Sequence, residues 1–292
     1  MSQRAKTIQI FLPAGDPRGV RIAEITTRIV QVIEVPRSLL EDFFSMPESV
    51  KVALYFLFGA AEEEGEPLVY IGQTGDLRQR LASHNKSKDF WERALVVVSR
   101  TDSLTQTHAL FLEWHCLQRA AEAGRYAVEN GHGGSRPYTP APLEADCEEV
   151  FETAQILLSS LGYPLFEPLS KRTPGNGAED EYFCTGSDSN GHGLYTTDGF
   201  VVFAGSSGKR DVVAAAKGTF VERSRATLLK DGVLRVDGDR VVFAKDHLFG
   251  SPSAAAVALM GRRANGWKDW RLPDGRSLDE MKRGGLGAGV DA

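Results

Sequence analysis

Cysteine is scarce in this chain. Only Cys116, Cys147 and Cys184 occur in 292 residues, far apart, odd in number and without a C-x-x-C pair. That argues against both a disulfide framework and a cysteine-based zinc site, so the three are read as reduced thiols. Long apolar runs are missing too, and the opening MSQRAKTIQIFLP lacks the apolar stretch of a signal peptide. A cytoplasmic chain with no membrane contact is therefore expected. An excess of positive charge is also absent, since 34 Lys and Arg against 39 Asp and Glu leave a net charge of -5. Proteins that hold nucleic acid contact phosphates through cations and usually carry a basic footprint. The Gly-containing turn from Gly72 to Gly75 completes neither a P-loop nor a dinucleotide-binding pattern.

The remaining composition, 42% hydrophobic and 25% charged, is that of a globular protein, and the length suits two or three domains. Charge is unevenly spread. Between Tyr70 and Arg100 the cations Arg78, Arg80, Lys86, Lys88, Arg93 and Arg100 outnumber Asp76, Asp89 and Glu92. Acid gathers instead at Glu62, Glu63 and Glu64 and from Glu144 to Glu152. A local DNA-facing surface is permitted despite the overall sign.

Residues 7 to 35 alternate apolar and polar in short runs around a turn at Gly15 to Gly19, which predicts a small antiparallel meander ended by Pro36. A short helix over 38–44 leads to strands at 52–58 and 68–71, a hairpin across an acidic loop, and a third strand follows at 94–99. Between the second and third strands, a helix opens at Leu77 after Thr74 or Asp76 as N-cap, burying Leu77 and Leu81. Two longer helices follow. One spans 105–123 with Leu110, Leu117 and Ala121 on its apolar side; the other spans 148–161 with Val150, Ala154, Leu157, Leu158 and Leu161.

Residues 169–190 are polar, Gly- and Pro-containing and aperiodic in their first half, which marks a linker. Beyond it the strands GFVVFAG, GVLRVDG and RVVFAKD precede an Ala-rich helix with Ser251 as N-cap and Pro252 at its first position. The expected fold is α+β: a small three-stranded antiparallel sheet flanked by helices, preceded by a short β meander and followed by a separate small α+β domain. The boundaries are a leader over 1–46, a core domain over 47–168, a linker over 169–190, a second domain over 191–285 and a tail over 286–292.

Arg80 and His84 stand at i and i+4, on one helix face. Glu113 sits among apolar neighbours in ALFLEWHCLQRA, where a carboxylate is costly unless paired, hydrated or metal-bound. A hard cation such as Mg²⁺ needs only one or two carboxylates besides waters and phosphate oxygens. Tyr55 and Tyr70 lie on the first two strands, where an aromatic is ordinarily core.

Taken in order, Ala53-Leu54-Tyr55, Tyr70-Ile71-Gly72, Arg80, His84 and Glu113 resemble the GIY-YIG nuclease superfamily. The second name motif is complete; the first keeps only its Tyr. The resemblance implies a DNA endonuclease dependent on Mg²⁺ or Mn²⁺ in bacterial DNA processing or defence. Its catalytic residues would be Tyr55, Tyr70, Arg80, His84, Glu113 and, as the family's late Asn, Asn130. Glu113 would hold the metal and Arg80 would neutralise phosphoryl charge. A tyrosine would take or relay the proton of the attacking water, Tyr55 by preference and Tyr70 as the alternative, with His84 hydrogen-bonded nearby. Free tyrosine titrates near 10, so that role asks for a lowered pKa. A Lys found in some relatives falls on Gln73, so Lys-assisted activation is not expected to transfer.

From about Gly199 to Leu278 the chain resembles DUF4357, a domain of unknown function related to domains attached to restriction adenine methylases. The carrying residues are LFGSPSAAAVALMG, Asn265-Gly266-Trp267, Trp270 and Asp274 to Leu278. Arg262, Arg263, Lys268 and Arg271 stand on turns beside the two tryptophans, and cations beside tryptophans suit a nucleic-acid surface, so Arg262, Arg263 and Lys268 are read as DNA contacts, with Lys86 and Lys88 in the first domain. The bland alternative is that Trp267 and Trp270 pack the Ala-rich helix onto the sheet. A restriction or methylation partner is left open, and the competing functional class is a non-catalytic protein that binds DNA or senses modified DNA.

Overall fold

The computed structural model describes residues 4–60, 67–131, 134–169, 180–186 and 189–284. The acidic loop at Glu62 to Glu64, most of the expected linker and the 286–292 tail lie outside the described residues. The chain divides into two compact units, 1–168 and 169–292, each described by itself. Among the described residues, no helix is long and apolar enough to cross a membrane.

In the first unit, β1 (Ile8–Phe11), β2 (Arg21–Ile25) and β3 (Val30–Pro36) precede α1 (Leu40–Phe44), β4 (Ala53–Ala60) and β5 (Pro67–Thr74). Then come α2 (Leu77–Ser87), β6 (Trp91–Ser99), α3 (Gln106–Ala123), the short β7 (Ala127–Val128) and α4 (Ala141–Ser160). The strands form one sheet of seven in the order β1-β2-β3-β6-β4-β5-β7. All pairs are antiparallel except β5 with β7.

The expected separate three-stranded sheet is thereby corrected. Its strands are contiguous as β6-β4-β5, but the leader is fused to them because β3 pairs with β6 from Val30↔Ser99 to Pro36↔Arg93. Every residue of β6 from Ala94 to Ser99 is buried. A strand apolar on both faces belongs inside a sheet, and as an edge it would expose a long unpaired backbone. A buried carboxylate, Glu34 on β3, accepts from Arg21 Nε at 2.6 Å, from the Tyr163 hydroxyl at 3.2 Å and from Arg93 at 3.5 Å. Those partners satisfy a charge that would otherwise be expensive to bury.

Strand periodicity sorts β4 onto two cores. Leu54, Phe56 and Phe58 pack with residues of α3 and α4, whereas Tyr55 and Leu57 pack with Leu77 and Leu81 of α2. The apolar phase of α3 differs from expectation: Leu110 and Ala121 are exposed, while Ala109, Leu112, Cys116 and Ala120 form the buried stripe with Leu117 beside it.

The second unit begins earlier than expected. Residues 181–186 and 189–190, read as linker, form β8 (Glu181–Gly186) and the start of β9 (Ser189–Thr196), because Tyr182 and Cys184 alternate into the core. Then follow β10 (Gly199–Val202), β11 (Ser207–Lys209), α5 (Phe220–Lys230), β12 (Leu234–Asp237), β13 (Arg240–Phe243) and β14 (His247–Phe249). Three helices end it: α6 (Pro252–Met260), α7 (Gly266–Asp269) and α8 (Leu278–Lys282). Its sheet runs β12-β13-β11-β9-β10-β14, with β8 also on β9. Ser251 caps α6 by accepting from the Ala254 amide, and Pro252 stands in its first turn. Trp270 is fully buried, 4.3 Å from Phe200 between ring centroids, with its indole N–H donating to Pro252 O. Its packing role is therefore realised.

Candidate active site

Four residues expected to act together meet on one face of the first unit. In the β4–β5 register, Tyr55 faces Gly72 and Leu57 faces Tyr70, so both tyrosines share the side covered by α2. The side chain of Asp76 caps that helix through the Gln79 amide. One turn in, Arg80 turns back to the sheet, its Nε donating to the Tyr55 hydroxyl at 2.9 Å and its Nη2 to the Tyr70 hydroxyl at 3.3 Å. The next turn carries His84, whose Nε2 lies 2.8 Å from the Tyr55 hydroxyl. The tyrosine rings stack with centroids 6.1 Å apart.

Gly72 makes this approach possible. A Cβ at that position would lie 2.4 Å from the Tyr55 hydroxyl oxygen and 2.8 Å from a Tyr70 ring carbon. Gly72→Ala is expected to displace both rings and cost about 1–3 kcal/mol, the usual range for an overfilled core, measurable by urea unfolding. Wild-type stability in that variant would show that the rings are not wedged against the backbone.

Burial divides the cluster. Tyr55 is fully buried and His84 nearly so, whereas Tyr70 is half-buried and Arg80 exposed. Burial, more than any neighbour, raises Tyr55 above the ordinary tyrosine value, although the Arg80 hydrogen bond opposes it. The lowered pKa expected of Tyr55 is therefore reversed in direction: its hydroxyl is buried and lies between Arg80 and His84. Tyr70 is the tyrosine with access to water. Lys88, a cation expected on DNA, stands over its ring at 4.6 Å and pairs with Glu129 at 2.8 Å. Lys86 is exposed on the last turn of α2.

Burial, helped by the positive charges of Arg80 and Lys88, lowers His84 to about 4. An unfolded histidine titrates near 6.5, so acid protonates the unfolded chain first. The stability tied to neutral His84 is whole above about pH 6.5 and is lost as pH falls toward about 4. Melting temperature should accordingly drop more steeply through this window in wild type than in His84→Gln; parallel curves would remove His84 from the acid response.

Glu113 arrives from α3, on the other side of the sheet. Burial pushes its carboxyl up, while a hydrogen bond from the Gln73 backbone and the charge of Arg80 pull it down. Gln73 itself accepts from Gln106 at the start of α3, which ties β5 to the helix bearing Glu113. Among the described residues, no group of three or more His, Cys, Asp and Glu side chains could hold a metal ion. A half-buried carboxylate with few competing donors still fits a hard divalent cation that draws its other ligands from water and phosphate.

Asn130 is placed differently from expectation. Its Oδ1 accepts from the Ile71 amide at 3.2 Å and its Nδ2 donates to Ile71 O at 2.7 Å. Both polar ends are spent on the β5 backbone, so Asn130 braces the strand between Tyr70 and Gly72. Nothing in its residue type distinguished this from a catalytic role. Sequence reasoning missed Glu129 and the ties of Gln73 to Gln106 and Glu113, since each acts through contacts distant along the chain. In the second unit, Arg262 and Lys268 line one cavity, while Arg263 is exposed outside its wall.

Residues 182–282 match the family described as a domain of unknown function, DUF4357. No curated protein matches the chain. No solved structure matches it either.

Proposed function

We propose that the first unit hydrolyses phosphodiester bonds in DNA, as a nuclease of the GIY-YIG kind, and that the DUF4357-matching unit holds the DNA. The observation that carries the reading is the convergence of Tyr55, Tyr70, Arg80 and His84, with Glu113 in electrostatic range of the same guanidinium. Arg80 spends two N–H groups on the tyrosines, and the rest of its fork remains for phosphate oxygens. Tyr70, held by Arg80 and Lys88, takes or relays the proton of the attacking water. Tyr55 and His84 form the buried backing that fixes Arg80. Glu113 would hold Mg²⁺ or Mn²⁺, which when bound supplies Lewis-acid stabilisation of phosphoryl charge. Asn130 would act by bracing β5 at Ile71, beside Tyr70.

Supercoiled plasmid incubated with the protein tests this reading. Nicking should require Mg²⁺ or Mn²⁺, stop with EDTA and be lost in Glu113→Ala. Equal nicking by that variant, or none by wild type across relaxed, branched and modified substrates, would sink the catalytic reading. The full burial of Tyr55 favours a second reading, a non-catalytic DNA-binding protein on the same fold. It predicts stable DNA binding without any metal-dependent cut.

A further inference from the structure

A cavity of about 320 Å³ in the second unit gathers cations from separate stretches of chain: Lys209 ending β11, Arg262 just past α6, Lys268 on α7 and Arg271 beyond it. Asp269 is the single acid among its described lining residues. Arg262, Lys268 and Arg271 are exposed, and among the described residues none has a carboxylate within ion-pair distance. The charge runs against the character of the chain. Residues 182–282 hold 15 Lys and Arg against 12 Asp and Glu, whereas the whole carries -5.

The array is built rather than incidental. The backbone of Arg271 bridges to Phe183 of β8 through reciprocal hydrogen bonds of 2.8 and 2.7 Å, and its guanidinium donates to Gly275 O at 2.8 Å. Gly261, left-handed at φ 64°, ends α6 and turns the chain out at Arg262. Asn265 caps the turn that carries Lys268. Arg271, held at its guanidinium, has less side-chain freedom to lose on binding.

The walls point to the ligand. Thr185 and Ser189 add hydroxyls, Phe183, Val213 and Met260 form the apolar part of the wall, and neither Trp270, which is buried, nor Trp267, which Arg283 covers at 3.5 Å, offers a free indole face. Cations and hydroxyls against a single described acid suit phosphate oxygens. At about 30 Å³ per water, the volume admits a phosphate with part of its hydration. We propose that this pocket clasps a backbone phosphate of duplex DNA, setting the position of the strand without reading its sequence. The proposal rests on DNA being the substrate.

The test is fluorescence anisotropy of a labelled duplex with the full chain in EDTA, over a range of salt, comparing wild type with the Arg262→Gln, Lys268→Gln, Arg271→Gln triple variant. The triple should bind unrelated sequences more weakly by one common factor, about tenfold or more, and lower the slope of log affinity against log salt by about 0.9 per cation removed. Melting curves check folding, and if the triple melts early, Lys268→Glu decides by the same readout. The proposal is overturned by unchanged affinity and slope, by a loss confined to particular sequences, or by a wild type that does not bind duplex. Inorganic phosphate displacing DNA at equal phosphate concentration would assign the pocket to a free anion and overturn it too. Cleavage does not enter in EDTA, so a nuclease reading that fails alone shows itself as DNA bound but uncut when Mg²⁺ or Mn²⁺ is restored.

Discussion

Arg80→Ala should slow metal-dependent nicking of plasmid by about 10²–10³-fold, the range for removing one preorganised donor from a site of developing charge. Two effects combine in that loss. The guanidinium spans the Tyr55 and Tyr70 hydroxyls through Nε and Nη2, so its removal frees Tyr70 while it withdraws positive charge from the phosphate position. It also takes one hydrogen-bond partner from the buried Tyr55 hydroxyl, which keeps its contact with His84 Nε2. Arg80→Lys is not expected to restore the rate, because an ammonium is a point charge and cannot hold two hydroxyls from a planar fork. Single-turnover rates at saturating protein, with melting temperatures alongside, give the measurement. Wild-type rates in Arg80→Ala would leave the cluster a packing device, while slow nicking by Arg80→Lys at the Arg80→Ala level supports the bridging role.

The largest stability effect is expected in the second unit. Arg225→Met should destabilise it by roughly 3–5 kcal/mol, since two buried carbonyls would each lose a charged donor at about 1–3 kcal/mol apiece and two part-buried ones would lose theirs as well. The Arg225 side chain is buried on α5 and donates to Lys209 O at 2.7 Å, Ala258 O at 2.9 Å, Arg210 O at 3.2 Å and Leu259 O at 3.4 Å. Burial lowers its pKa, and Asp211 offsets part of that. The last carbonyls of α6 have no intrahelical partner, and a cation at a helix C-terminus also meets the favourable end of the dipole. Space is tight, because a Cβ at Gly261 would lie 2.4 Å from the Arg225 guanidinium. Urea unfolding followed by tryptophan fluorescence reads the loss, and a change below about 0.5 kcal/mol, the size of an ordinary surface substitution, would refute it.

Local rules account for much of what was legible. The Asp76 cap, the Leu77 and Leu81 stripe and the Ser251-Pro252 start of α6 follow from contacts within one turn of helix. The pairing of Arg80 with His84 on one face follows from the same geometry. Long-range pairing was not legible. Nothing near β3 says that its partner is β6, about sixty residues on, and only that pairing merges leader and core into one sheet. Likewise, the polar run after Leu169 hid β8, whose two inward residues become a strand only when β9 is beside them.

The candidate site divides along the same line. The order of Tyr55, Tyr70, Arg80, His84 and Glu113 along the chain carries the resemblance, and of these residues local geometry joins only Arg80 and His84, one turn apart on α2. Tertiary structure decided what each can do, since burial and partners depend on the whole fold. It buried Tyr55 against His84, left Tyr70 beside water, spent Asn130 on the Ile71 backbone and Lys88 on Glu129, and put Lys209 and Arg271 beside Arg262 and Lys268. Charge and hydrogen-bonding capacity belong to a residue type; solvent exposure and partnership belong to the fold.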